Sequence, residues 1–297
     1  MTYAAAAGTW TVGDRVVNRM GFGTMRLTAN PDTTVAIRVL RRAVELGVDH
    51  LDTAAFYCSP GGIIDVGPGP VRHATELIKK ALSPYGDDVL VATKVGPKRQ
   101  PDGSWGFGGL RQQVEENLRR LGVETLDLVN LRITRRDADL AEWFGELAAM
   151  RDEGLIRHLG LSNITPAHLD AASRIAPVTC VQNAYAVDVR RDEDLLRICG
   201  ERGIAFVPFF AIAGPGREAG AAASAPDPGV REVARRHGVS EHQVRLAWTL
   251  HRGPHVLAIP GTGDLTHLEQ NVAAAALRLD DDDLTAIDQS AADSQLS

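Results

Sequence analysis

Lys94 closes an apolar run, VLVATK. An ammonium at the end of a buried strand loses solvation and needs an acidic partner. Asp52 offers one, because it ends the preceding run, His50-Leu51-Asp52. Tyr57 follows five residues later in DTAAFY. A phenolate beside such a lysine is stabilised, so the phenol pKa is expected to fall from about 10 toward working pH. The phenol could then give a proton to a carbonyl oxygen. Further polar groups end further runs: Arg132 in DLVNLR, Ser162 and Asn163 in GLSN, Gln182 and Asn183 in VQNAY. Taken singly, each has a plainer reading. Asp52 could cap a helix, Tyr57 could pack in the core and Lys94 could snorkel at the surface. Only the joint placement points to a proton donor.

The elements that must position these groups alternate. After a hairpin over Thr9–Val17 that turns at Gly13-Asp14, short apolar runs predict strands near Met20 and over His50–Asp52, Val89–Lys94, Leu126–Arg132, Ile156–Leu161, Val178–Gln182, Ile204–Phe209 and Val256–Ile259. Amphipathic stretches between them predict helices over Pro31–Leu46, Val71–Leu82, Gly109–Leu121, Ala138–Glu153, Pro166–Ile175, Asp192–Arg202, Gly229–His237 and Glu241–Arg252. Leu265–Ala276 and Asp281–Ala291 close the chain as further helices. Continuous apolar runs suit strands buried on both faces of a parallel sheet. Eight strand–helix units in this length predict an α/β fold of the (β/α)8 TIM-barrel type, with an N-terminal β-hairpin and extra C-terminal helices. The rival is an open doubly wound sheet, but the first strand-to-helix turn, GFGTMRLTAN, lacks the G-x-G-x-x-G dinucleotide fingerprint. No linker divides the chain, so residues 1–297 are expected to form one domain. In a barrel the strand C-termini converge on one mouth, where the polar groups above would meet. Two loops follow strand ends on that face: Ser59–Pro70, rich in glycine and proline, and Ala213–Gly229, rich in small residues.

Composition narrows the function classes. The 297 residues are 44% hydrophobic and 24% charged, with a net charge of −6. That excludes disordered and collagen-like chains, and no basic stretch suggests a nucleic-acid partner. Cys58, Cys180 and Cys199 fit neither a disulfide framework nor a zinc site, so no metal is expected and a reducing cytoplasm suits them. The N-terminus does not read as a signal peptide, and no apolar run is long enough to span a membrane. No apolar surface stripe stands out, so a monomer is the default expectation.

The motifs GFGTM, HLDTAAFY, ATELI, VATKVG, DLVNLR, HLGLSN, VQNAY, LAWTLHRG and AIPGTGDLTHLEQN occur in this order from about residue 21 to residue 271. Together they resemble the aldo-keto reductase superfamily. The resemblance implies a (β/α)8 barrel and an NAD(P)H-dependent carbonyl reductase acting on a small-molecule aldehyde or ketone. It implies Tyr57 as general acid, Lys94 as the group that lowers its pKa and Asp52 as the group that orients Lys94. Gly23, Thr24, Ser162, Asn163, Gln182, Pro208 and Phe209 are implied as cofactor contacts, and Tyr185 as the ring stacked on the nicotinamide. Gly261, Thr262, His267, Gln270 and Asn271 are implied at the adenosine end.

The chain departs from the family pattern in three places. Arg132 stands where the family has a histidine. Arginine does not shuttle protons, but it can stabilise negative charge on a carbonyl oxygen or anchor an acidic substrate group. Gly261 and His267 stand where NADP-preferring members often carry basic residues, and Gln270 replaces a glutamate. NADP(H) remains the favoured cofactor, with NAD(H) the alternative. The loop after Tyr57 is long, and Trp105, in PDGSWGFGG, is the tryptophan best placed to wall a substrate pocket. Two other readings stay open: a non-redox barrel enzyme (proton transfer, elimination or cyclisation) and a cofactor-binding redox sensor.

Overall fold

In the strand Leu90–Val95, Leu90, Ala92 and Lys94 alternate with Val91, Thr93 and Val95, and the two sets face opposite sides of the sheet. The computed structural model describes residues 3–86, 88–212 and 227–296. Its strands are β1 (Thr9–Val12), β2 (Arg15–Asn18), β3 (Phe22–Gly23), β4 (His50–Asp52), β5 (Cys58–Ser59), β6 (Arg72–His73), β7 (Leu90–Val95), β8 (Pro97–Arg99), β9 (Trp105–Phe107), β10 (Leu126–Arg132), β11 (Ile156–Ser162), β12 (Cys180–Gln182) and β13 (Ala205–Phe206). Its α-helices are α1 (Thr33–Glu45), α2 (Ala74–Leu82), α3 (Leu110–Leu121), α4 (Ala141–Asp152), α5 (Pro166–Ser173), α6 (Glu193–Glu201), α7 (Pro228–His237), α8 (Glu241–His251), α9 (Leu265–Ala273) and α10 (Asp281–Leu296).

Seven strands form one sheet in the order β3-β4-β7-β10-β11-β12-β13, and every pairing is parallel. The eighth strand, expected over Val256–Ile259, is reduced to single bridges, Phe206 with Val256 and Met20 with Ala258. Those bridges still close the barrel. Phe206 N–H donates to His255, Leu257 to Phe206, Ala258 to Arg19 and Gly21 to Ala258, all at 2.8–2.9 Å. Gly23 and Gly261 make this seam possible. A Cβ on Gly261 would lie 2.5 Å from the Gly23 carbonyl oxygen, and one on Gly23 would lie 2.8 Å from that of Ile259. The seventh strand is also shorter than expected, because Pro208 has no N–H for the ladder. Its bonding resumes beyond, with Phe209 N–H on the Asn183 carbonyl at 3.1 Å.

Inside the barrel, Leu90, Ala92, Leu128, Cys180, Ala205, Val207 and Leu257 form one apolar cluster, with Val12 and Val17 from the hairpin closing its floor. The larger core lies between sheet and helices. Local chemistry sets the helix starts. Asp32 accepts from Thr34 N–H at α1, and Ser240 with Gln243 forms a capping box at α8. One expected helix start moves: residues 71–73, read as helix, instead carry β6, which pairs antiparallel with β5. Most of the loop Ala213–Gly229, expected to cover a cofactor, lies outside the described residues. No helix among the described residues is long and apolar enough to cross a membrane.

Candidate active site

On several strands the inward-facing set ends in a polar residue at the same mouth. Asp52 lies at the end of β4, and Gln182 at the end of β12. Lys94, on β7, and Arg132, on β10, complete the ring. Asp52, Lys94 and Gln182 are at most 4% exposed. Lys94 Nζ donates to Asp52 Oδ2 at 2.5 Å, to the Thr53 carbonyl at 3.0 Å and to Tyr57 Oη at 3.1 Å. The ammonium also lies 4.7 Å from the centre of the Tyr57 ring. Asp52 Oδ1 accepts from Gln182 Nε2 at 2.7 Å, so one carboxylate holds both neighbours. Because Lys94 donates to the phenolic oxygen, the Tyr57 hydrogen is left for an acceptor in the cavity.

Electrostatics correct one expectation. Burial drives the Tyr57 phenol above its ordinary pKa, and the charges of Lys94 and Arg132 offset that only in part. The phenol pKa is therefore held above its ordinary value instead of falling toward working pH, and the group keeps the hydrogen that a carbonyl oxygen would take. Burial pushes the Lys94 ammonium down, but Asp52 and Tyr57 outweigh it and hold the group above its ordinary value. Lys94 stays charged.

A cavity of about 490 Å³ opens from this cluster. Asp52, Tyr57, Lys94, Arg132 and Gln182 line one end, and Gly261, Thr262, His267, Gln270 and Asn271 line it at the start of α9. Gly23, Pro208 and Phe209 also contribute. Tyr57 is half-buried there, with the Phe56 ring edge-on to it at 5.4 Å. Arg132 Nη1 donates to Ser162 Oγ at 3.1 Å, and its guanidinium lies 4.7 Å from the Phe209 ring centre.

Four expected contacts do not line the cavity. Thr24 is buried, and its hydroxyl donates to the Asp52 carbonyl at 2.9 Å, so it braces the site from behind. Ser162 is buried beneath Arg132. Asn163 adopts a left-handed conformation at φ 64°, and its Nδ2 donates to the Ile133 carbonyl at 3.0 Å. Tyr185, expected against the nicotinamide, is fully buried and stacks on Trp248 at 5.7 Å. Its hydroxyl donates to Glu193 at 2.6 Å. The cause is parity: three residues past Gln182, an extended chain sends a side chain to the opposite face. Phe209, on the neighbouring segment, is the ring that reaches the cavity.

Other lining residues escaped the sequence reading. Met25 and Arg26 come from a short 3₁₀ turn after β3, Ile63 from the loop after β5, and Phe210 from a left-handed turn at φ 68°. The aromatic pair after Pro208 was the available signal for Phe210. Trp105 does not line the cavity. It packs edge-on behind Phe56 at 6.5 Å, beneath the Arg99 guanidinium.

One buried atom bears on what the cavity could hold. Gln182 Oε1 has no hydrogen-bond partner among the described residues, although its amide nitrogen is fixed by Asp52. An orphaned carbonyl oxygen beside the proton donor suits a ligand carboxamide. Among the described lining residues three are cationic, Arg26, Lys94 and Arg132, and one is a carboxylate, Asp52, a balance that suits an anionic ligand.

A profile of the Aldo/keto reductase family matches residues 19–292. The pyridoxine 4-dehydrogenase of Escherichia coli (strain K12) is 38% identical over 301 residues, covering 95% of this chain and 98% of that protein. An uncharacterized oxidoreductase of Schizosaccharomyces pombe is 38% identical over 296 residues, covering 96% of this chain and 90% of that one. Among solved structures, an aldo-keto reductase from Klebsiella pneumoniae in complex with NADPH superposes with a TM-score of 0.77 at 27% identity, covering 95% of this chain and 94% of that one.

Proposed function

Because this chain belongs to the aldo/keto reductase family of oxidoreductases, we propose that it interconverts a small aromatic aldehyde and its alcohol with NADP(H). Pyridoxine and its 4-aldehyde are the first pair to try, since the Escherichia coli relative is named for that alcohol. The observation that carries the reading is the Tyr57 hydroxyl held at 3.1 Å by the buried Lys94, which is itself paired with Asp52.

The dihydronicotinamide, when bound, supplies hydride to the carbonyl carbon. Gln182 would hold its carboxamide through the unpaired Oε1, and Phe209 would face its ring. Gly261, Thr262, His267, Gln270 and Asn271 would hold the adenosine end. Arg26 stands among the lining residues as a cation for phosphate, a role that Gly261 cannot fill.

This chain's residues handle the proton. Tyr57 donates its hydroxyl hydrogen to the carbonyl oxygen, and Lys94 stabilises the phenolate that remains. Asp52 keeps Lys94 charged and aimed at Tyr57. Arg132 replaces the family histidine as an electrostatic clamp on the carbonyl oxygen or on an acidic substituent beside it. An aromatic substrate would fit between Phe56, Ile63 and Phe210.

The test is NADPH consumption with the 4-aldehyde of pyridoxine, a panel of other aldehydes, and NADH in parallel. Turnover that disappears in Tyr57→Phe while cofactor binding remains supports the reading. Tight NADPH binding with no turnover of any aldehyde would replace it with a sensing role.

A further inference from the structure

We infer that Arg72 is a positioning residue that sets the substrate-side wall of the cavity and hence which aldehydes fit. The inference rests on the cavity being the carbonyl site proposed above. Arg72 lies on β6, only 7% exposed, directly after the glycine- and proline-rich loop of residues 59–70. Its guanidinium serves four backbone carbonyls. Nε donates to Thr28 at 2.9 Å, Nη1 to Pro68 at 3.1 Å and Pro70 at 3.2 Å, and Nη2 to Val66 at 3.3 Å. These carbonyls belong to two separate segments. Thr28 ends the turn that carries Met25 and Arg26, and Val66, Pro68 and Pro70 belong to the loop that carries Ile63. Met25, Arg26 and Ile63 all line the cavity.

Arg72 is therefore a clasp between two walls. A planar fork with five donors can serve acceptors on several sides, whereas a lysine offers its donors from one point. The loop's other anchors are local or partly exposed: Ile64 is buried at 5% exposure, and Asp65 lies 3.7 Å from Arg99. Ser59 Oγ donates to the Val66 carbonyl at 2.6 Å and accepts from Val66 N–H at 3.1 Å, and Gly61 N–H donates to Asp65 at 2.7 Å. Gly67 sits against the clasp at φ +82°, where a Cβ would lie 3.0 Å from Arg72 Nη2 and 3.2 Å from the Ala29 carbonyl. None of those contacts ties residues 66–70 to the turn at Thr28, so this glycine- and proline-rich stretch would sample more shapes without the guanidinium. Its loss would blur the wall without touching Lys94 or Asp52.

The experiment uses full-length Arg72→Met, Arg72→Lys and Ile63→Ala with two aldehydes, one aromatic and bulky, the other propanal. In Arg72→Met, KM for the bulky aldehyde is expected to rise about tenfold, with kcat and all propanal constants within about twofold of wild type. Arg72→Lys falls between. Ile63→Ala reproduces the KM effect with the clasp intact, and it stands in if Arg72→Met does not fold. Hydrogen exchange reads the clasp without catalysis: the Gly61 and Val66 amides exchange faster in Arg72→Met and unchanged in Ile63→Ala. Unaltered exchange in Arg72→Met would overturn the inference. So would an equal fall in kcat on both aldehydes, which would mean that Arg72 supports Tyr57. If wild type reduces no aldehyde, the reductase reading fails, and dissociation constants of the same aldehydes replace KM in testing Arg72.

Discussion

Replacing Lys94 by methionine removes the one cation that touches the Tyr57 hydroxyl among the described residues. At 3.1 Å and an effective dielectric of about 20, an ammonium stabilises a full phenolate by about 5 kcal/mol. A half-transferred proton carries about half that charge, so the barrier rises by about 2.5 kcal/mol and kcat falls about 10²-fold. The same change strands the Asp52 carboxylate, 3% exposed, with Gln182 as its remaining side-chain partner. Breaking a buried pair from one side costs about 3–5 kcal/mol. For a chain of 297 residues that is a fall in Tm of about 5–8 °C. Asp52→Asn/Lys94→Met removes both charges and separates the two effects. It should recover most of the Tm and none of the rate. Single-turnover reduction at saturating NADPH, with a parallel thermal melt, is the assay. A single variant within about threefold of wild-type rate, or a double variant that regains rate together with stability, would refute the electrostatic argument.

Three further outcomes follow from the geometry. Phe209→Ala should weaken NADPH binding about tenfold by fluorescence titration, whereas Tyr185→Phe should leave it unchanged and cost about 1 kcal/mol of stability through the lost Glu193 bond. Arg26→Ala should lower the NADPH-to-NADH preference in kcat/KM about tenfold, and equal losses with both cofactors would remove Arg26 from phosphate recognition. Asp283, 1% exposed, accepts from His237 at 2.6 Å, and despite burial, which raises it, its carboxyl stays below the usual carboxylate range. The stabilisation is thus complete above the unfolded carboxylate pKa and lost as pH falls through the lower folded one. Asp283→Asn should therefore melt earlier at neutral pH by about 1–3 kcal/mol, and the two melting curves should converge in acid.

The barrel was legible because its strands are unbroken apolar runs, several of which end in a polar inward residue. That pattern alone marks Asp52, Lys94, Arg132 and Gln182. Tyr185 was misplaced for a reason the sequence already contained, since an odd offset from Gln182 means the opposite face. The eighth strand was read as regular, yet Pro260 and Gly261 follow it at once, and the ladder ends in two bridges. Met25, Arg26, Ile63 and Phe210 were not legible, because loop backbone and not periodicity brings them to the cavity. The phenol pKa was misjudged in direction. Neighbouring charges can be guessed from strand ends, but the loss of water around the hydroxyl, which outweighs them, cannot.

The seam that closes the barrel joins segments far apart in the chain. Arg19 reaches across it to the carbonyls of Val256, 237 residues away, and of Gly253 and Leu250. A ribosome has therefore made most of the protein before this joint can form. Until then the nascent sheet carries two unpaired edges, at β3 and at β13, which can template pairing with another chain. Folding of so non-local a joint is slow by topology alone. A substitution at Arg19 or Gly261 would thus show first as lost yield and aggregation during synthesis, ahead of any change in the properties of molecules that had already closed.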